Sequence, residues 1–161
     1  MRLSSLNRIF VVLGAYENDI REAINGFDVE VIQNPKWECG KSTSIQCGIN
    51  FIKKQEYDAV VICLVDQVHL TSVMIDSLIN RFLKTGCEVV ATRIDGCQCN
   101  PVLFSAKLFS RFEELRGEEG GQKILSQSKV EWVDWEDKKL IEDIDTIDDF
   151  QSLSSSNNPF R

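Results

Sequence analysis

No apolar run in this sequence approaches the roughly 20 residues that a membrane-spanning helix needs, and the N-terminus lacks a signal-peptide pattern. The expectation is a cytoplasmic protein with no membrane partner. Positive charge is also scarce: 18 Lys and Arg stand against 25 Asp and Glu, a net charge of −7. That balance argues against generic binding to nucleic acid. It does not exclude a phosphate substrate, because a metal ion can invert the local field. There is one histidine, His69, and no C-x₂-C pair of the kind that holds zinc. The six cysteines (39, 47, 63, 87, 97 and 99) are scattered rather than framed, and the cytosol would keep them reduced. Cys47 and Cys63 fall in apolar surroundings and read as small buried hydrophobes.

What remains is an ordinary globular composition, 43% hydrophobic and 27% charged over 161 residues, enough for one domain with a sizeable core. That domain is expected over residues 1–153, with 154–161 as a flexible tail. The most informative stretch is Tyr57 to Gln67, YDAVVICLVDQ. Its apolar, β-branched run is short and two-faced, as in a fully buried parallel strand. It ends on Asp66, and in open α/β sheets ligands gather beyond the carboxyl ends of strands. A carboxylate there suits Mg²⁺, a hard cation that prefers oxygen ligands. It equally suits capping of the helix that begins near Thr71, or acceptance of loop amides.

Around that strand, strand and helix patterns alternate. Strands are expected at Arg8–Leu13, Val29–Ile32, Glu88–Thr92, Val102–Phe104 and Val130–Val133. Helices are expected at Glu17–Ile24 with Ile20, Ala23 and Ile24 inward, from Ser42 with Ile45, Ile49 and Ile52 inward, and at Thr71–Lys84. A further helix would carry Leu108, Phe112 and Leu115, and a short one Gln122–Leu125. No internal repeat appears. The pattern is α/β with a mainly parallel sheet.

Three segments join Asp66 as candidates. In residues 34–44, NPKWECGKSTS, Gly40 frees the backbone for close approach and Ser42 stands at a helix N-terminus, where unpaired amides favour an anion or simply need a cap. In GCQCNPVLF, residues 96–104, Asn100-Pro101 holds the chain extended, as a lid or a plain hairpin. In EDIDTIDDF, residues 142–150, Asp143 and Asp145 share a face if the segment is extended. Asp145 could then meet Asp66 across a shared cation, within roughly 8 Å before metal binds.

Taken together these segments resemble one family. V-V-L-G at 11–14, N-P-K-W-x-x-G-x-S-x-S, the strand ending D-Q, G-x-x-x-N-P-V-L-F, L-R-G-E-E-G and D-I-D-T-x-D-D-F stand in the order seen in the MobA-like nucleotidyltransferases, closest to the molybdenum cofactor cytidylyltransferase branch. The likeness spans about residues 8–153. It implies a three-layer α/β/α, Rossmann-like fold and transfer of a nucleotide from CTP or GTP to a molybdopterin-like acceptor, with Mg²⁺ holding the phosphates. By the same likeness Asp66 and Asp145 would be catalytic metal ligands. Gly40, Ser42 and Gln67 would face the substrates, Asn100 and Pro101 the acceptor side, and Gly117 and Gly120 a flexible loop beside it. Departures from the pattern are Val68 and Ile147 where proline is usual, and Cys99 where glycine is common.

The family's opening strand and Gly-rich phosphate loop, L-A-A-G-x-S-x-R-M-G-x-x-K, have no counterpart in residues 1–15. Impaired activity, a truncated gene product, or an inactive partial domain that only binds a partner or pterin-like ligand are the resulting expectations. So is a gap in the sheet, closed by direct pairing of residues 8–13 with 59–64 or filled by a strand from another chain, as in a homodimer.

Overall fold

The computed structural model describes residues 8–142 together with Ile144, Thr146, Asp148 and Gln151. Two sheets form. In the first, β1 (Phe10–Leu13) pairs in parallel with β2 (Glu30–Gln33), Phe10 opposite Glu30 and Leu13 opposite Gln33. The crossover is α1 (Glu17–Ala23), which buries no residue; Ile20, expected inward, is exposed. A two-stranded sheet is too narrow to cover a helix face.

The second sheet has the order β3 (Ala59–Ile62), β5 (Cys97–Ser105), β4 (Val89–Ile94), β6 (Val130–Asp134). β5 runs antiparallel to both β3 and β4, and β4 is parallel to β6, so β5 alone reverses direction. Strand alternation sends side chains to two layers. Val89, Ala91, Val102 and Phe104 pack against α2 (Lys41–Ile52), the 3₁₀ helix Ala106–Glu114 and α4 (Gly121–Leu125). Val90 and Leu103, with Ala59, Val61 and Val133, pack against α3 (Ser72–Thr85) through Leu78, Ile79 and Phe82. The result is α/β/α layering.

α3 follows its sequence signals closely. The Thr71 hydroxyl accepts from the Met74 amide, and Gly86, at φ 61°, ends the helix in the left-handed conformation that glycine adopts freely. No helix among the described residues is long and apolar enough to cross a membrane.

Three expectations fail here. The run ending at Asp66 is not a fully buried strand: β3 holds only four residues, each half-buried, at the edge of its sheet, and Val65 is 99% exposed. Cys63, expected in the core, is exposed just past its end. Nor do residues 8–13 pair with 59–64; no backbone bond joins them among the described residues. α2 explains why. It lies so close to β1 that a Cβ on Gly48 would stand 3.2 Å from Val12 Cγ2, while Ile49 and Ile52 are anchored in the main core. One helix thus spaces both sheets, and sliding β1 by about 4.8 Å would tear it from that contact.

The core depends most on the Phe104–Phe112 pair, ring centroids 5.1 Å apart at 84°, with Phe112 fully buried. Phe112→Ala is expected to lower unfolding stability by about 3–5 kcal/mol, measured by urea denaturation with the slope unchanged.

Candidate functional site

Two clusters form beyond the carboxyl ends of the strands. The first grows from the loop after β2. Asn34, a buried polar residue at 3% exposure, donates from Nδ2 to Thr43 Oγ1 at 2.9 Å and Ser44 Oγ at 3.0 Å. Its Oδ1 accepts from the Lys36 amide at 3.0 Å. One side chain therefore ties the loop to the first turn of α2. The sequence marked Asn34-Pro35 only as a turn; the signal for more was the run of hydroxyls at 42–44 within reach of an amide side chain.

Gly40 precedes α2 at φ 101°, ψ 165°, a region that essentially only glycine visits. Its neighbour is Gly117: a Cβ on Gly40 would lie 2.5 Å from that residue's carbonyl carbon and oxygen. Gly117 is itself left-handed at φ 53°, and its carbonyl accepts from the Ser42 amide at 3.0 Å. Ser42 is buried, so the amide expected to be open to an anion is committed to joining two loops. Gly120 completes the junction, with Lys41 Cε 3.5 Å from where its Cβ would stand. Gly40, Ser42, Gly117 and Gly120 thus converge.

The 115–120 segment, expected as a flexible loop, is held at several points. Gln46 Nε2 donates to the carbonyls of Phe112 and Leu115, each at 3.0 Å, an anchor the sequence reading missed. The Arg116 amide donates to Glu119 Oε2 at 2.9 Å, and Lys123 reaches Glu119 at 2.8 Å. Lys123 and the Arg116 amide together hold the Glu119 carboxyl below its ordinary range.

The second cluster surrounds Asp66. Oδ1 of Asp66 is buried and lacks a hydrogen-bond partner among the described residues. It does not cap α3, because Thr71 does. Gln67, 7% exposed, donates from Nε2 to the Leu140 carbonyl at 3.4 Å and leaves Oε1 likewise buried and unpartnered. The Asp66 carbonyl accepts from the amides of Val68 at 3.1 Å and Ile144 at 3.3 Å. His69 Nε2 lies 3.7 Å from Glu142 Oε2. Three links therefore strap the acidic C-terminal segment to the Asp66 turn. Asp145, the residue after Ile144, lies outside the described residues, as does Asp143.

Two buried carboxyl and amide oxygens without donors are costly in an apolar setting, at about 1–3 kcal/mol each. Both are oxygen donors of the kind a hard cation takes, so the chemistry of Asp66 Oδ1 fits Mg²⁺ or a similar ion. No group of three or more metal-ligating side chains exists among the described residues, Cys97 and Cys99 included.

Asn100 and Pro101 lie at the same end of the sheet. Of the two readings of this segment the hairpin holds: β4 and β5 pair antiparallel across Asp95-Gly96, and because Ala91 faces Val102 and Thr92 faces Cys99, Asn100 and Pro101 form a bulge inside β5. Pro101 is fully buried, and its carbonyl accepts from the Thr92 hydroxyl at 2.8 Å. Because Ile62 pairs with Val102, the bulge sits one step beyond the last paired residue of β3, on the way to Asp66. Trp37 packs against Gly14 and stays 43% exposed.

The profile of the MobA-like NTP transferase domain family matches residues 1–132. No curated protein matches the sequence. Among solved structures, Rv0371c of Mycobacterium tuberculosis in complex with manganese is similar at TM-score 0.75 and 21% identity, covering 97% of this chain and 82% of that one. Molybdopterin-guanine dinucleotide biosynthesis protein A from Archaeoglobus fulgidus is similar at TM-score 0.66 and 17% identity, over 91% and 76% of the two chains. The CTP complex of CMP:2-keto-3-deoxy-manno-octonic acid synthetase is similar at TM-score 0.72 and 7% identity, over 96% and 82%. At such identities the likeness is one of fold, a nucleotidyltransferase-like Rossmann-type architecture.

Gly40→Ala tests the glycine junction. The backbone strain alone costs of order 1–3 kcal/mol, and the new methyl must displace Gly117. Faster hydrogen exchange at the Ser42 amide is expected, with little change at the centre of β5.

Proposed function

This chain belongs to the MobA-like NTP transferase family, and from that premise we propose that it is a Mg²⁺-dependent nucleotidyltransferase of the molybdenum cofactor type. In the proposed reaction a phosphate oxygen of a molybdopterin-like acceptor forms a bond to the α-phosphorus of CTP or GTP. The bond from that phosphorus to the bridging oxygen breaks, and pyrophosphate leaves. Asp66 is the catalytic metal ligand of this chain, with Asp145 as the second. Gln67 positions the segment that leads to Asp145 through its bond to Leu140. Gly40 and Gly117 let two loops approach each other closely enough for substrate to meet backbone, and Asn100 and Pro101 form the acceptor wall. When bound, the cation supplies neutralisation of phosphate charge, which an acidic chain cannot provide by itself.

The observation that carries this reading is the buried, unpartnered Asp66 Oδ1 at the end of a strand, with the acidic segment hydrogen-bonded to the same residue's carbonyl. Transfer by this chain is expected to be slow, because residues 1–15 contain no counterpart of the family's Gly-rich phosphate loop and positioning plus charge stabilisation is most of what a protein adds to such chemistry. The rival reading is a domain that binds nucleotide or pterin without turnover.

Asp66→Asn separates these. Mn²⁺ binding, followed by electron paramagnetic resonance, is expected to weaken roughly tenfold or more, the loss of about 1.4 kcal/mol or more, and pyrophosphate release from CTP or GTP to vanish. Undiminished metal binding in the variant would overturn the assignment. Metal binding by the parent chain without any release would favour the rival.

A further inference from the structure

The two polar atoms of the Gln67 side chain are used unequally. Nε2 donates to the Leu140 carbonyl at 3.4 Å, while Oε1 is closed to solvent and has no hydrogen-bond partner among the described residues. Turning the carboxamide over would not relieve this. Oε1 would then face the carbonyl oxygen of Leu140, and Nε2 would lose its acceptor. The Leu140 carbonyl therefore decides which atom is left over, and it is the oxygen.

Nothing in the same turn supplies a donor to it. The backbone amides of Val68 and Ile144 go to the Asp66 carbonyl, and that of Leu70 goes to the Gln67 carbonyl at 3.2 Å. His69 Nε2 lies against Glu142. No lysine or arginine occurs in the sequence between Lys54 and Arg81. Oδ1 of Asp66, the preceding residue, is left over in the same way. A buried acceptor without a donor is costly, and an apolar side chain of similar shape would fill the space at less cost.

On the reading that Asp66 holds a divalent cation, we propose that Gln67 is a ligand of the same ion through Oε1. Glutamine suits this double task because its carboxamide carries a donor on one terminal atom and an acceptor on the other. Nε2 fastens the segment at Leu140, and Oε1 faces the ion. Glutamate would set an oxygen against the Leu140 carbonyl, and an aliphatic side chain would do neither task. Amide oxygens are ordinary ligands of hard cations. Being neutral, this one leaves more of the ion's charge for a phosphate than a second carboxylate would. Coordination at Oε1 also polarises the carboxamide and makes Nε2–H a stronger donor. Cation binding is therefore expected to tighten the bond to Leu140 and to slow hydrogen exchange at the Ile144 amide, which is bonded to the Asp66 carbonyl.

Two substitutions in the whole chain test the assignment, because both remove the Nε2 donor and only one removes the oxygen. Gln67→Met keeps an unbranched, flexible side chain without the carboxamide. It is expected to weaken Mn²⁺ binding, followed by electron paramagnetic resonance, roughly tenfold. Gln67→Glu keeps an oxygen at the same reach and is expected to bind Mn²⁺ at least as tightly as the parent chain. In the parent, titration with Mg²⁺ is expected to shift the Gln67 side-chain NH₂ resonances saturably. Equal losses of Mn²⁺ affinity in the two variants would make Gln67 a fastening residue only and overturn the proposal. Full affinity in Gln67→Met would overturn it too. Either result, with binding lost in Asp66→Asn, leaves the assignment of Asp66 standing. Full binding in Asp66→Asn, or none in the parent chain, would overturn both.

Discussion

The position of α2 governs most of what this structure does. Gly48 lets the helix lie close against the Val12 side chain of β1, and Ile49 and Ile52 seat it in the core of the other sheet. Its first turn is bonded to Asn34 on one side and Gly117 on the other, and its Gln46 holds the end of the 3₁₀ helix. A helix is about 10 Å across, and here it acts as a fixed spacer. The distance between the sheets, the approach of the two glycine loops and the survival of an open cleft all follow from it.

How the chain tolerates that cleft is visible in where burial is concentrated. β4 and the second half of β5 are almost fully buried, each paired on both sides. β3 is half-buried throughout and β1 is so up to Leu13, which is buried, and Phe10 is packed against Phe51 and Tyr57, at 5.7 and 5.9 Å between centroids. Unpaired edge groups that water can reach cost far less than buried ones. The core therefore closes around β5.

Much of this was legible in the residues. Thr71 and Gly86 delimit α3, the period of Ile45, Ile49 and Ile52 finds α2, and the short apolar runs Val89–Ala91 and Val102–Phe104 find two paired strands. Misreadings arose where a neighbour decides the outcome. Val60 to Val65 has the composition of a central strand, but burial needs a partner on each side, and β3 has one. Ile20 has the right period to face inward, but β1 and β2 make too narrow a floor. Side-chain anchors such as Asn34 and Gln46 join residues far apart in sequence and leave no periodic trace. At the site, matching motifs singled out Gly40, Ser42, Gly117 and Gly120 as parts of two separate loops; that the two loops meet is seen only in the structure, since spacing along the chain carries no information about it.

Asp66 shows how the remaining ambiguity resolves. From the sequence its carboxylate could cap a helix or hold a cation, since both tasks use the same oxygens near a strand end. Thr71 takes the capping task, and the amides of Val68 and Ile144 go to the Asp66 carbonyl, which leaves Oδ1 buried without a donor. Gln67 repeats the pattern one residue on, its amide nitrogen used and its oxygen not. Two adjacent buried acceptors and no donor between them make a poor structural device, because each would be stabilised by an apolar replacement of similar shape. Carboxyl and amide oxygens of this kind are what a hard cation takes as ligands, and the proposed reading of Asp66 rests on that chemistry.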